Sequence, residues 1–301
     1  MYRILSTDGM AKSAVQKLRE LGYEVVEQFY EPEELAEKVK EFDALVVRSA
    51  TKVRVPIIDA AASAGRLKII IRGGVGVDNI DVDYAKEKGI AVANTPNASS
   101  ASVAELAITH MLALSRYVAI ANYTMRNGLW EKKAYKGVEL TGKTLGVIGM
   151  GRIGRETAKR AEALGMKVIY TDIRKADGVA YEYVSTDELL AKSNFITLHV
   201  PAIKGLPPII NAESIAKMKD GAYIINTARG ALIDENALCD ALDSGKLAGA
   251  GLDVYNEEPS KNERLLHHDK VSITPHIGGT TKEAQDRIGE EIVEIIKNIL
   301  K

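Results

Sequence analysis

The stretch GVIGMGRIG at residues 146–154 constrains the fold more than any other part of the chain. An apolar run over 144–148 leads into glycines at 149, 151 and 154, and a helical pattern follows at once. Strand, glycine-spaced turn and helix together make the phosphate-binding turn of a dinucleotide fold. Gly149 permits the tight turn, Gly151 lets the backbone approach a pyrophosphate, and Gly154 lets the helix pack close to the strand. Free N–H groups at the helix start favour an anion. The turn sits at mid-chain, so a further domain's length of sequence precedes it.

Both halves alternate short apolar strands with helices. In the first half, strand patterns fall at 2–6, 23–26, 44–47, 69–71 and 91–93, with helical patterns between them at 12–21, 33–39, 56–62 and 82–88. In the second half, six strands are expected at 144–148, 167–171, 194–199, 222–226, 249–253 and 271–273. Such alternation implies parallel sheets covered on both faces. The fold class is therefore α/β, with two doubly wound domains. Ser102 and Glu105 have capping-box spacing, and one almost wholly apolar helix is expected over 102–121. Residues 125–140 read as an irregular arm carrying Trp130, the only tryptophan and a natural interface anchor. An amphipathic helix from about 282 closes the chain.

Composition removes several function classes. A net charge of -1 gives no general basic field for nucleic acid or acidic membranes. The lone Cys239 excludes an intramolecular disulfide framework and a multi-cysteine metal site, and no metal is expected. The N-terminal residues lack the apolar core of a signal peptide, and no apolar run approaches the roughly 20 residues that cross a bilayer. The expectation is a soluble, cytoplasmic protein.

Asp172 ends the second strand after the glycine turn, where a carboxylate can accept from both ribose hydroxyls and repel a 2′-phosphate. NAD is thus expected rather than NADP, although Arg174 lies nearby and Asp172 could instead cap the next turn. Three later strands end in NTARG, LDVYNEEP and TPHIGG, which places Arg229, Glu258 and His276 where such folds keep their chemistry. These groups suit hydride transfer at a 2-hydroxy acid. Arg229 can grip a carboxylate and polarise the carbonyl. His276 can take and return the hydroxyl proton. Glu258 can orient His276, and Asp253 is expected to face the nicotinamide. Singly, each of these residues could be a salt-bridge, turn or structural group; it is their joint placement that points to catalysis. His110 reads as packing within its apolar helix, His267 and His268 as solvated, and His199 as ending a strand on the cofactor side.

GMGRIG, Asp172, HVP, NTARG, GLDVYNEEP and TPHIGG resemble the D-isomer-specific 2-hydroxyacid dehydrogenases over nearly the whole chain. VVRSATKV and IRGGVGVDNID are most similar to the phosphoglycerate dehydrogenases within that family. The resemblance implies a flavodoxin-like substrate domain (1–95 plus 282–301) into which a Rossmann NAD-binding domain (96–281) is inserted, with the active site in the cleft between them. It implies cofactor contacts from Gly149, Gly151, Arg152, Ile153, Gly154, Asp172, His199, Val200, Pro201, Thr227, Ala228, Asp253, Gly278 and Gly279. Substrate contacts are implied for Arg48, Ser49, Ala50, Thr51, Gly74, Val75, Gly76, Arg229 and His276. Arg48, Lys52, Arg54 and Arg72 form a basic set that either receives a phosphate or is merely surface charge. A homodimer through the NAD domain is also implied.

The reaction implied is oxidation of 3-phosphoglycerate to 3-phosphohydroxypyruvate, the first step of serine synthesis. A glyoxylate or hydroxypyruvate reductase is the alternative, and a non-catalytic NAD(H)-sensing binding protein a further one. Two departures stand out: Ser99 replaces an asparagine frequent in phosphoglycerate dehydrogenases, and AIKGLPPII replaces the family's threonine-bearing loop after HVP. With the chain stopping at Lys301, no serine-binding regulatory domain is expected.

Overall fold

The computed structural model describes residues 1–203 and 205–301; Lys204, in the AIKGLPPII loop, lies outside the described residues. Along the first third run β1 (Arg3–Ser6), α1 (Lys12–Glu20), β2 (Glu24–Glu27), α2 (Pro32–Lys38), β3 (Ala44–Val47), α3 (Val55–Ala64), β4 (Ile69–Arg72), α4 (Val82–Glu87) and β5 (Ala91–Asn94). Next come α5 (Ser100–Ser115), α6 (Val118–Arg126), β6 (Thr144–Ile148), α7 (Arg152–Ala163), β7 (Lys167–Thr171), β8 (Glu182–Tyr183), α8 (Thr186–Lys192) and β9 (Phe195–Leu198). The remainder is α9 (Ala212–Lys217), β10 (Ala222–Asn226), α10 (Glu235–Asp243), β11 (Leu247–Leu252), α11 (Glu263–Leu266), β12 (Val271–Ile273) and α12 (Lys282–Ile299). The chain divides into two compact units, Met1–Ser99 with Gly279–Lys301, and Ser100–Gly278.

The first unit holds a five-stranded parallel sheet in the order β2-β1-β3-β4-β5. This is the flavodoxin-like order, and it reverses direction between β1 and β3. Ala44–Val47 is buried throughout, as a central strand covered on both faces must be. One face packs Leu45, Val47, Ile58 and Ile70, and the other packs Ile4, Leu18, Val46 and Ile71 with Ile288 and Ile292 of α12. Close approach of α12 to α1 depends on Gly289, where a Cβ would lie 2.7 Å from that of Ala14.

The second unit holds a seven-stranded parallel sheet in the order β12-β11-β10-β9-β6-β7-β8. Counted from β6, this is the Rossmann order 3-2-1-4-5-6 with a seventh strand added, and it reverses between β6 and β9. The sequence patterns gave six strands. The missing one, β8, is two exposed residues paired with Ile169 and Tyr170, too short to leave an apolar signature.

The single helix expected over 102–121 is in fact two, α5 and α6, meeting at 64°. Tyr117 turns the chain with φ 55°, a left-handed conformation that costs a non-glycine residue about 1 kcal/mol. Its ring packs against Tyr135, 5.9 Å between centroids. The capping box also fails: Ser102 lies inside α5, and Glu105 pairs instead with Arg160 of α7 at 3.0 Å. No single helix among the described residues is long and apolar enough to cross a membrane.

Candidate active site

The glycine turn lies between β6 and α7, at the strand-order reversal of the second unit. Gly149 has φ 96°, and a Cβ there would sit 2.6 Å from the His199 carbonyl oxygen. A Cβ on Gly154 would sit 2.1 Å from the Gly149 carbonyl oxygen, so the helix approaches the strand as closely as backbone allows. Gly151 is different: nothing lies within 4 Å of its would-be Cβ, and the backbone is open to a ligand. Arg152 and Ile153 begin α7, whose first N–H groups face that opening's end of the helix. Asp172 is half-buried; its Oδ2 accepts from Met150 N–H at 2.8 Å and its Oδ1 from Ile173 N–H at 2.7 Å. Each oxygen keeps a further lone pair for a ribose hydroxyl.

Across the reversal, His199, Val200 and Pro201 follow β9. The His199 Nε2 bonds Thr197 Oγ1 at 3.0 Å, and burial pushes the imidazole's pKa down, so it is neutral near pH 7. Two side-chain atoms here are buried and without a hydrogen-bond partner among the described residues: His199 Nδ1, and Oγ1 of Thr227 after β10. Orphaned polar atoms at adjacent strand ends, beside an open glycine backbone, fit a polar ligand such as a dinucleotide.

The loop carrying Arg229 is shaped by Asn226, fully buried at the end of β10. Its amide accepts from Ala228 N–H (3.0 Å) and donates to the Arg229 carbonyl (2.8 Å). Gly230 then packs on the next loop, where a Cβ would lie 2.0 Å from the Tyr255 backbone. That loop bears Glu258. Its Oε2 lies 2.7 Å from His276 Nδ1, and its Oε1 accepts from Tyr255 N–H at 3.2 Å. Burial alone would raise the Glu258 pKa. The His276 hydrogen bond and charge, the Tyr255 N–H and the Arg229 charge outweigh burial and hold it below the usual carboxylate range. Arg229, Glu258 and His276 are thus brought together from loops after β10, β11 and β12.

His276 sits at φ 54°, one of two non-glycine residues in that region among those described. Such strain persists only where surrounding structure enforces it. The enforcing group is Asp253, which is 1% exposed. Its carboxylate accepts Thr274 Oγ–H at 2.6 Å, Ile277 N–H at 2.8 Å and Gly278 N–H at 2.8 Å. Asp253, expected to face the nicotinamide, fixes the His276 turn: its Oδ1 takes two of these bonds and its Oδ2 one, which leaves Oδ2 a lone pair for a further donor. Burial raises its pKa, an effect these bonds and the His276 charge oppose. His268 is likewise not solvated: its ring bonds Asp243 at 3.2 Å and accepts from Lys270 N–H at 3.1 Å. His267 is exposed and pairs with Glu263. Gly279 belongs to the first unit, where its carbonyl accepts from Gln285.

In the first unit, Arg48, Ser49, Ala50 and Thr51 follow β3 at that sheet's own reversal. Asp8, after β1, accepts from Arg48 N–H (2.6 Å), Thr51 N–H (3.1 Å) and Thr51 Oγ–H (2.6 Å). Asn79 donates from one amide nitrogen to the carbonyls of Arg48 and Thr51, each at 2.7 Å. The loop is clamped at both ends, while Ser49 and Ala50 between them are exposed. Asp8 and Asn79 escaped sequence reasoning because nothing in STDGM or VDN marks a clamp. Gly74, Val75 and Gly76 follow β4; Thr95 N–H donates to the Gly74 carbonyl and Asn94 to that of Val75. The basic set is partly engaged: Arg54 pairs with Asp81 at 2.8 Å and reaches the Asp78 carbonyl. Arg48 is half-buried beside Asp8, its burial lowering a pKa that the Asp8 charge supports.

Residues 108–278 match the family model described as D-isomer specific 2-hydroxyacid dehydrogenase, NAD binding domain. A hydroxypyruvate reductase of Thermotoga maritima is 53% identical over 300 residues, covering 98% of this chain and 97% of that protein. A D-3-phosphoglycerate dehydrogenase of Methanocaldococcus jannaschii is 48% identical over 306 residues. The chain spans only 58% of that relative's length. The solved glyoxylate reductase of Paecilomyes thermophila superimposes with a TM-score of 0.89 at 36% identity, covering 100% of this chain and 95% of that one.

Proposed function

Because this chain belongs to the D-isomer-specific 2-hydroxyacid dehydrogenase family and carries its NAD-binding domain, we propose that it interconverts a three-carbon D-2-hydroxy acid and its 2-keto acid. The observation that carries this reading is the His276–Glu258 pair at 2.7 Å, with the Arg229 charge acting on the same carboxylate. NAD, when bound, accepts the hydride from C2 in oxidation and returns it in reduction. Everything else falls to the protein. Arg229 holds the substrate carboxylate by its planar fork. With Nδ1 engaged by Glu258, His276 has Nε2 left to take the hydroxyl proton as the C–O double bond forms. Glu258 stays ionised and accepts from Nδ1–H. In the first unit, the exposed Ser49–Ala50 backbone, held by Asp8 and Asn79, is assigned to substrate binding by the family resemblance.

For the substrate, the first reading is 3-phosphoglycerate and 3-phosphohydroxypyruvate, the entry to serine synthesis. The cationic set and the phosphoglycerate dehydrogenase relatives support it. The second reading, a hydroxypyruvate or glyoxylate reductase, is favoured by the Arg54–Asp81 pair, which engages one of the four cations, and by the full-length relative at 53% identity. We also place the protein in the cytoplasm as a homodimer through its second unit. There Leu112, Val118, Tyr123, Met125 and Leu129 are exposed, and Trp130 is 79% exposed. This concentration of exposed apolar side chains within residues 112–130 supports an association surface there.

The deciding experiment is NADH oxidation with 3-phosphohydroxypyruvate, hydroxypyruvate and glyoxylate side by side. A kcat/KM preference for the phosphorylated acid supports the first reading. Preference for either unphosphorylated acid overturns it in favour of the second. Turnover of none contradicts both and leaves an NAD(H)-sensing role.

A further inference from the structure

His110 lies on α5 in the interior of the second unit, 1% exposed and away from solvent chemistry. Packing alone does not account for it. Nδ1 lies 2.9 Å from Ser272 Oγ, and Nε2 lies 3.1 Å from Thr274 Oγ1. The proton positions follow from the partners. Thr274 has one hydroxyl proton, committed to Asp253 at 2.6 Å, so its oxygen can only accept from His110. Nε2 therefore carries the hydrogen and Nδ1, in the neutral ring, accepts from Ser272. A directed chain results, from Ser272 through His110 and Thr274 to Asp253, whose oxygens also receive Ile277 N–H and Gly278 N–H. Those two N–H groups directly follow His276, which the chain thus holds at φ 54°. Gly251 makes room for it: a Cβ there would lie 2.6 Å from that of His110.

We propose that His110 is a positioning residue for His276, acting through the Nε2–H donated to Thr274. This rests on His276 being the acid–base group. The bond fixes the Thr274 hydroxyl toward Asp253, and Asp253 fixes the His276 turn. Without the donor, the threonine hydroxyl turns to other acceptors, the Asp253 carboxylate shifts, and the imidazole loses its placement over the reacting oxygen. A small misplacement of an acid–base group lowers turnover steeply without touching binding.

The test separates the ring's two nitrogens. His110→Gln offers an amide N–H near the Nε2 position, His110→Asn offers an acceptor near the Nδ1 position, and His110→Met offers neither at similar volume. All three disturb the core, and thermal unfolding measures how much. With the preferred keto acid at saturation, His110→Asn and His110→Met should lose about tenfold or more in kcat, while His110→Gln stays within about twofold to threefold. NADH affinity, read by fluorescence titration, should hold in all three. Adding Thr274→Val to His110→Met should cost no more than Thr274→Val alone, since both act through one bond. Equal kcat in all three, or losses that simply follow the melting temperatures, overturns the proposal. His276→Ala is the control: turnover surviving there refutes the acid–base assignment itself, whereas a dead His276→Ala with an unimpaired His110→Asn refutes only the role of His110.

Discussion

Glu258 Oε2 and His276 Nδ1 meet at 2.7 Å although they stand on different loops, after β11 and β12. Parallel strands ending side by side bring them together, and the bond selects Nε2 as the reacting nitrogen. Glu258→Gln keeps an oxygen that can accept from Nδ1–H but removes the charge that stabilises a protonated imidazole. It should lower kcat about 10- to 100-fold while leaving NADH affinity unchanged. Steady-state kinetics with a fluorescence titration checks this, and a change confined to KM would count against the pairing.

Asp8 should act on binding alone. Asp8→Ala strips three hydrogen bonds from the Arg48–Thr51 loop, so KM for the keto acid should rise about tenfold or more at nearly constant kcat. Asp8→Asn, which can still accept both backbone N–H groups, should fall between. An unchanged KM in Asp8→Ala would remove this loop from the substrate site.

Asp172 should set the choice between the two nicotinamide cofactors. Asp172→Asn retains an oxygen for Met150 N–H yet removes the charge that repels a 2′-phosphate. The ratio of kcat/KM for NADPH to that for NADH should rise about tenfold or more. A constant ratio would reduce Asp172 to a support of the glycine turn.

His110 should make stability fall in acid. Burial lowers its pKa from 6.5 to about 4, so in that window the unfolded chain binds a proton that the folded chain refuses. Its contribution is complete above pH 6.5 and is lost as pH falls toward 4. The loss amounts to about 3 kcal/mol. Urea unfolding at neutral pH and near pH 4 should show His110→Gln losing less stability than the wild type by that order. Parallel losses would mean that His110 titrates normally.

The fold was legible wherever apolar strands were at least three residues long and bounded by turns, since parallel sheets demand continuous apolar runs. It was not legible at β8, two exposed residues, nor at Tyr117, where an almost wholly apolar pattern resumes after Ser115 and Arg116 and hides a 64° bend. Arg229, Glu258 and His276 were readable because each follows a strand end in its own βα unit. The hold of Asp253 on the His276 turn was hidden, because its oxygens serve a hydroxyl and backbone groups that no side-chain pattern reveals. Asp8, Asn79 and the polar side of His110 were hidden for the same reason: their partners are backbone atoms or hydroxyls distant in sequence.

The most direct measurement is the decay of bound NADH in a single turnover with the preferred keto acid, wild type against His276→Ala, with NADH affinity measured on the same samples. A loss of about 100-fold or more in the rate at unchanged affinity is the outcome expected of a proton donor at Nε2. A rate within a few-fold of wild type would contradict it and place the acid–base group elsewhere.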